Sequence, residues 1–335
     1  MKIYVDAMGG DNAPAAIVEG AVNAIKDYDV PLILVGQETR IQKELEKYDV
    51  PDQSVQILNA DTVIGFDEEP VMAIRKKTDS SLVVALEAMK GQKDAVLVSA
   101  GSTGALLAGG LLKLGRIKGI KRPAIGVALP KGDKVSFLMD TGANADCKAE
   151  YLAQFGLLGS IYCENLMGIK NPSVGLINIG TEEEKGSMMV KEAYQLLKKS
   201  DLNFIGNVEA RDIPTTPADI LVADGFTGNI VLKLIEGLTS FLMHGIKDSI
   251  MGSTKGKIGG ALIKNDLKAF KKQFSSEEVG GAPFLGIRGG LIKAHGSSNA
   301  FAFQNAIRQA IMFSQADVIG KITEALKNQG EMHHE

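Results

Sequence analysis

Short, uninterrupted apolar runs recur along the chain at 2–6, 31–35, 55–58, 95–99, 124–129, 135–140, 174–179, 203–206 and 219–223. Runs such as "PLILVG", "DAVLVSA" and "PSVGLINIG" do not alternate apolar with polar residues. That pattern predicts strands covered by helices on both faces of a largely parallel sheet. Between them, apolar positions spaced for a 3.6-residue period predict amphipathic helices, among them 14–27, 80–90, 187–199 and 299–313. The rhythm is that of an α/β protein. No internal repeat, low-complexity stretch or linker interrupts it, and only the excursion from 245 to 278 reads differently.

Glycine, 38 residues in all, gathers where the apolar runs end: "VDAMGGDNAP", "LVSAGSTGA", "LMDTGANAD", "INIGTEEEKGS" and "VADGFTGN". In a parallel sheet such turns collect at the carboxyl edge, beside helix N-termini with free N–H groups. Five of them on one edge predict a ligand that is an anion or a carbonyl oxygen.

Composition narrows the function. A chain of 335 residues, 45% hydrophobic and 23% charged, can bury a large core as one unit or two intertwined ones. A net charge of −3, six tyrosines and no tryptophan do not suit a general nucleic-acid binder. The sequence shows neither a leader pattern nor a run of about 18 apolar residues, so the expected address is the cytoplasm. Cys147 and Cys163 form no C-x-x-C pair and are expected to be packed side chains. There is no phosphate loop of the G-x-x-x-x-G-K-[ST] type; "GSTKGK" at 252–257 has the wrong spacing. Nor is there a G-x-S-x-G elbow, and His244 and His295 are the histidines outside the polar tail. No cofactor and no metal is expected.

The opening "VDAMGGDNAP" resembles the N-terminal signature of the bacterial phosphate acyltransferases, the acyl-carrier-protein:phosphate transacylases of the PlsX family. Further matches follow in order: "SAGSTGAL" (99–106), "GRIKGIKRPA" (115–124), "NIGTEEEKG" (178–186), "NFIGNVEARD" (203–212), "DGFTGN" (224–229) and "IKAHGSS" (292–298). Ser102 departs from the asparagine that many members carry. The resemblance implies an isocitrate/isopropylmalate-dehydrogenase-like fold. This is a three-layer α/β/α sandwich with a mostly parallel mixed sheet, spanning 1–330 as one catalytic unit of two intertwined subdomains. It implies a reaction in which inorganic phosphate attacks the thioester of a long-chain acyl carrier protein, giving acyl phosphate for phospholipid synthesis. It also implies a homodimer at the inner membrane face, beside the membrane glycerol-3-phosphate acyltransferase that uses acyl phosphate.

That chemistry fits the residue types. Phosphate is already an anionic nucleophile, so no covalent enzyme intermediate is needed; backbone N–H groups, amides and a lysine suffice to hold it and stabilise an oxyanion. Motif and chemistry together nominate Lys185, Asn229 and His295 as catalytic groups. For binding phosphate or substrate they nominate Asp6, Gly9, Gly10, Ser102, Thr103 and Gly104. Asp140, Asn144, Asp224, Gly225, Thr227 and Gly228 join the same set. Asp6 and its neighbouring acids are expected to orient amides or cations, since bare carboxylates would repel phosphate.

The segment 245–278 is locally basic and apolar-faced, as expected of a protruding helical hairpin. Ile258, Leu262 and Ile263 in its tip could rest on an anionic membrane, receive the carrier or pack a dimer. Arg116, Lys118, Lys121 and Arg122 could grip the acidic carrier. Two rival readings are a short-chain phosphate acetyl- or butyryltransferase or dehydrogenase of the same fold, and a noncatalytic carrier-binding scaffold.

Overall fold

A computed structural model describes residues 1–131, 134–273 and 280–332. Each of the nine apolar runs is a strand: β1 (Lys2–Asp6), β2 (Leu32–Gly36), β3 (Val55–Asn59), β4 (Ala95–Ser99), β5 (Ala124–Lys131), β6 (Lys134–Met139), β7 (Ser173–Asn178), β8 (Asn203–Glu209) and β9 (Ile220–Val222). Two four-residue strands that the apolar pattern does not predict, β10 (Ala282–Leu285) and β11 (Gly290–Lys293), complete an eleven-stranded sheet. The order is β3-β2-β1-β4-β11-β10-β5-β6-β9-β7-β8.

Helices cover both faces. Ile3 and Val5 of β1 pack into a core with Ile17, Val18, Phe303 and Ile307, whereas Tyr4 between them packs with Leu86, Leu97 and Leu106. The period of two in a strand thus feeds two layers, which explains why the runs are continuously apolar. The first of these cores continues through Phe137 and Phe155 into the other half of the sheet. Each such fully buried aromatic contributes roughly 1.5–3 kcal/mol of burial free energy.

The five glycine turns do not share one edge. β3, β2, β1, β4 and β11 are mutually parallel, but antiparallel pairings at β11–β10, β10–β5 and β5–β6 reverse the direction, so β6, β9, β7 and β8 run the opposite way. The turns after β1 and β4 lie on one edge, those after β6, β7 and β9 on the other. Register brings the two sets together. Leu97, Leu291, Phe284 and Ile125 form one row across the sheet, and Met139 pairs with Gly126 one residue further along. The carboxyl end of β6 is therefore level with the middle of β4.

The helix Gly225–Met251 starts well before the excursion predicted at 245 and runs unbroken into its first residues. Helices Thr254–Leu262 and Lys264–Gln273 follow, and residues 274–278 of the predicted hairpin lie outside the described residues. The 27-residue helix is long and apolar enough, by length and composition, to cross a membrane. Its Asn229, Lys233 and Glu236 nevertheless face a cleft in the protein, while Phe226, Ile230, Leu234, Leu238 and Leu242 form an exposed apolar stripe at i, i+4 spacing.

Candidate functional site

A cleft of about 390 Å³ lies between β5 and the first turns of the helix Gly225–Met251. Thr103, Thr141, Asn229, Lys233, Lys293 and His295 bring polar chemistry to it, whereas Val127, Leu129, Leu232 and Ile235 line it with hydrocarbon. These groups come from the turns of both sheet edges.

The helix that carries Asn229 is held by the turn after β6. Asp140 is fully buried, and its carboxylate accepts from the N–H groups of Ile125 (3.1 Å), Gly142 (3.2 Å), Ala143 (3.1 Å) and Asn144 (2.8 Å), and from Asn144 Nδ2 (2.9 Å). Burial pushes its pKa up, and these donors pull in the opposite direction. The organised turn then meets the helix start: Gly225 N–H donates to Asn144 O at 2.7 Å. A Cβ on Gly225 would lie 2.6 Å from that oxygen, and one on Gly228 would lie 1.8 Å from Asp140 O. Glycine is required at both positions because two backbones touch there. Asp224 caps the helix, accepting from Thr227 N–H and Thr227 Oγ1, both at 2.8 Å. The Thr227 hydroxyl is thereby committed to the cap, and the Thr141 hydroxyl donates to Ile125 O (3.1 Å).

The other wall is the turn after β1. Asp6 is buried and accepts from Ser99 Oγ at 2.7 Å and Met8 N–H at 3.3 Å, with burial pushing its pKa up. Gly9 fits against Asp6 and Gly101, where a Cβ would come within 2.6 Å of the Asp6 carboxylate and 2.8 Å of Gly101 N. Gly10 takes a positive φ of 104°, and Asp11 N–H donates to Gly296 O at 2.8 Å, tying this turn to the one that holds His295. Ser102 caps the short helix Thr103–Gly109 through Ala105 N–H, and Gly104 lies against Pro70.

Lys293, at the end of β11, lines the cleft although motif reading did not nominate it, as do Lys233 and Glu236. Its ammonium donates to Ala100 O (3.4 Å) and to Ala294 O. Burial lowers its pKa to about 8, Asp6 and Asp11 favour its charged form, and Lys233 opposes it. An ammonium so placed, beside carboxylates that do not enter the cleft lining, can take up an anion. The available sequence signal was a lysine closing an apolar run just before "AHGSS", a position shared by other strand-end turns. His295 Nδ1 accepts from Ser297 N–H (3.3 Å) and lies 2.9 Å from Ser297 Oγ.

Lys185 is placed differently. It is exposed in the turn after β7, one strand over from β9, and is not among the residues lining the cleft. Its carbonyl accepts from Asn178 Nδ2 at 3.0 Å. Arg116, Lys121 and Arg122 line a second cavity of about 720 Å³ with Tyr151, and Lys118 lies exposed on the same turn. There Lys121 pairs with Glu150 at 2.6 Å and Arg116 donates to Lys121 O. Ile258, Leu262 and Ile263 are all exposed. Burial pushes the Cys147 thiol up to about 11 and the Cys163 thiol up to about 12, so both remain thiols at neutral pH.

A family model described as "Fatty acid synthesis protein" matches residues 1–321. The phosphate acyltransferase of Alkaliphilus oremlandii (strain OhILAs) is 51% identical over 331 residues, covering 99% of each chain. That of Clostridium tetani (strain Massachusetts / E88) is 50% identical over 334 residues, covering 99% of this chain and 100% of the other. Among solved structures, a phosphotransacetylase from Streptococcus pyogenes superposes with a TM-score of 0.61 at 17% identity, covering 96% of this chain and 94% of the other. A 4-hydroxythreonine-4-phosphate dehydrogenase from Klebsiella pneumoniae gives 0.56 at 11% identity, covering 93% and 99%. These two structural likenesses show a shared three-layer α/β/α fold.

Proposed function

The chain belongs to the fatty acid synthesis protein family of phosphate acyltransferases, and from that premise we propose that it transfers a long-chain acyl group from acyl carrier protein to inorganic phosphate. The observation that carries this reading is a single cleft in which Lys293, Asn229 and His295 face a hydrocarbon wall of Val127, Leu129 and Leu232.

Lys293 attracts the phosphate dianion, Lys233 already being paired with Glu236 at 3.0 Å, and Asn229 donates to the phosphate or to the thioester oxygen. One phosphate oxygen attacks the carbonyl carbon, and the oxyanion that develops is held by these donors. The C–S bond then breaks and the thiolate leaves with the bond's electrons, giving acyl phosphate. With a free thiol pKa of about 8.5 the leaving group is already competent, so the thiolate takes its proton from water and the His295 ring lends it no more than a hydrogen bond. Asp140, Asp224 and Asp6 act at a distance, by fixing the Asn229 helix and the Lys293 surroundings. Lys185 lies outside this arrangement, so Lys293 takes the role of cation that the motif suggested for Lys185.

The exposed stripe Phe226–Leu242 supports a homodimer, and the exposed tip residues Ile258, Leu262 and Ile263 on a helix rich in lysine support contact with an anionic membrane. The basic cavity at Arg116, Lys121 and Arg122 supports docking of an acidic carrier. Product release at a membrane would deliver acyl phosphate to a glycerol-3-phosphate acyltransferase there, with the enzyme resident in the cytoplasm. The test is phosphate-dependent appearance of free carrier thiol from palmitoyl-carrier with the purified protein. Transfer from acetyl- or butyryl-coenzyme A alone would favour the short-chain rival, and no transfer at all the scaffold.

A further inference from the structure

The sheet forks beside the cleft. β10 pairs with β5 only through Phe284↔Ile125 and Leu285↔Ala124. The next β10 residue is Pro283, which has no N–H to extend the ladder. β5 nevertheless runs on to Lys131, with β6 as its ladder partner along that stretch. Between the diverging strands lie small residues, Gly126 and Ala128 on β5 and Gly281 before β10.

On the far side of this fork is a second, smaller cavity of about 110 Å³. Phe137, Tyr162, Leu166, Met167, Pro283 and Met312 give it a largely apolar wall. Ala128 and Gly281 line both this cavity and the cleft. The Tyr162 ring stacks on Phe137 with centroids 4.5 Å apart, its hydroxyl accepts from Gln309 Nε2, and burial pushes its pKa up, so the ring stays neutral. Met312, 40% exposed, lies at the solvent side. An apolar void of this kind costs stability, since its lining loses packing partners. At roughly 30 Å³ per water-sized group it has room for the last few methylenes of a chain.

We infer that the acyl chain of the donor passes from the cleft through the β5–β10 fork, past Ala128 and Gly281, and ends against Tyr162, Leu166 and Met312, which set the chain length accepted. The inference rests on acyl transfer from a long-chain carrier, as proposed above. Passage through the sheet keeps the thioester beside Lys293 and Asn229 while its hydrocarbon is removed from water.

Two measurements on the full-length protein test it. Photolysis of a 16-carbon acyl carrier bearing a diazirine at the chain end is expected to label peptides containing Tyr162–Met167 or Gln309–Met312. Labelling confined to the helix Gly225–Met251 overturns the path. Met312→Trp, which fills the outer end from a partly exposed position, is expected to lower the ratio of 16-carbon to 8-carbon kcat/KM by about tenfold or more. Met312→Ala is expected to raise the ratio of 18-carbon to 16-carbon donors. Ratios equal to wild type in both folded variants overturn the assignment. Should the wild-type protein release no carrier thiol with phosphate, acyl transfer itself is refuted, and the photolabel still decides where the chain lies.

Discussion

Gly228 and Asp140 meet backbone to backbone: a methyl group on Gly228 would lie 1.8 Å from the Asp140 carbonyl oxygen. That approach fixes the start of the helix carrying Asn229 against the turn after β6, and so sets one wall of the cleft. Because the obstacle is main chain on both sides, no rotamer change can relieve it. Gly228→Ala is expected to cost about 1–3 kcal/mol by overpacking, read as a lower denaturant midpoint. It is also expected to reduce kcat, because Asn229 is the next residue. An unchanged midpoint would show that the helix start can shift freely.

Asn229→Ala is expected to lower kcat by on the order of a hundredfold, the usual size of losing one preorganised donor to an oxyanion. Lys185→Ala, in an exposed turn outside the cleft lining, is expected to fall by much less than Lys293→Ala. Comparing all three in one transfer assay checks this. Equal losses at Lys185 and Lys293 would return Lys185 to the reacting centre.

The Lys293 ammonium, with its pKa lowered to about 8, gives the enzyme a pH dependence. Below about 8 the cation is present and phosphate binds; as pH rises through 8 the charge is lost and KM for phosphate is expected to rise. Lys293→Arg keeps its charge and should flatten that rise. Stability has the opposite sign. The folded pKa lies below the ordinary lysine value of 10.5, so burying the charge is a cost present below pH 8 and relieved between 8 and 10.5. Lys293→Met is therefore expected to be at least as resistant to denaturant as wild type at pH 7 while losing activity; a large destabilisation would contradict this.

The two exposed apolar surfaces should separate by mutation. Leu234→Glu with Leu238→Glu, at positions 63% and 51% exposed, is expected to halve the solution mass by light scattering. Replacing Ile258, Leu262 and Ile263 with glutamate should instead leave the mass unchanged and abolish sedimentation with anionic liposomes. The opposite assignment of effects would exchange the roles of the two surfaces.

Much of the scaffold was written locally. β1, β4, β7 and β9 stand out because they are buried on both faces and therefore continuously apolar, whereas the edge strands β3 and β8 are only partly buried. The turns "DTGAN" and "DGFTGN" betray themselves because contacts such as Gly225 to Asn144 leave no room for a Cβ. β10 and β11 are each four residues long, β10 contains Pro283, and Gly286 and Gly289 lie between them, so neither forms a recognisable apolar run. Lys293 lies inside the motif "IKAHGSS", but a lysine closing an apolar run looks the same in a cleft as on a surface, and His295 beside it drew the nomination.

The sequence by itself determined the class of fold, the polar turns and the family, since these rest on short-range pattern and on motifs in order. Strand direction did not follow from it. Three antiparallel pairings reverse half the sheet; β5–β6 and β10–β11 join neighbours in sequence, but β10–β5 joins strands far apart along the chain, a choice that no local run encodes. Only the tertiary structure decided that Asn229, on the helix after β9, and Lys293, at the end of the oppositely directed β11, share one cleft while Lys185 stays outside. The register that levels Met139 with the middle of β4 is the physical reason.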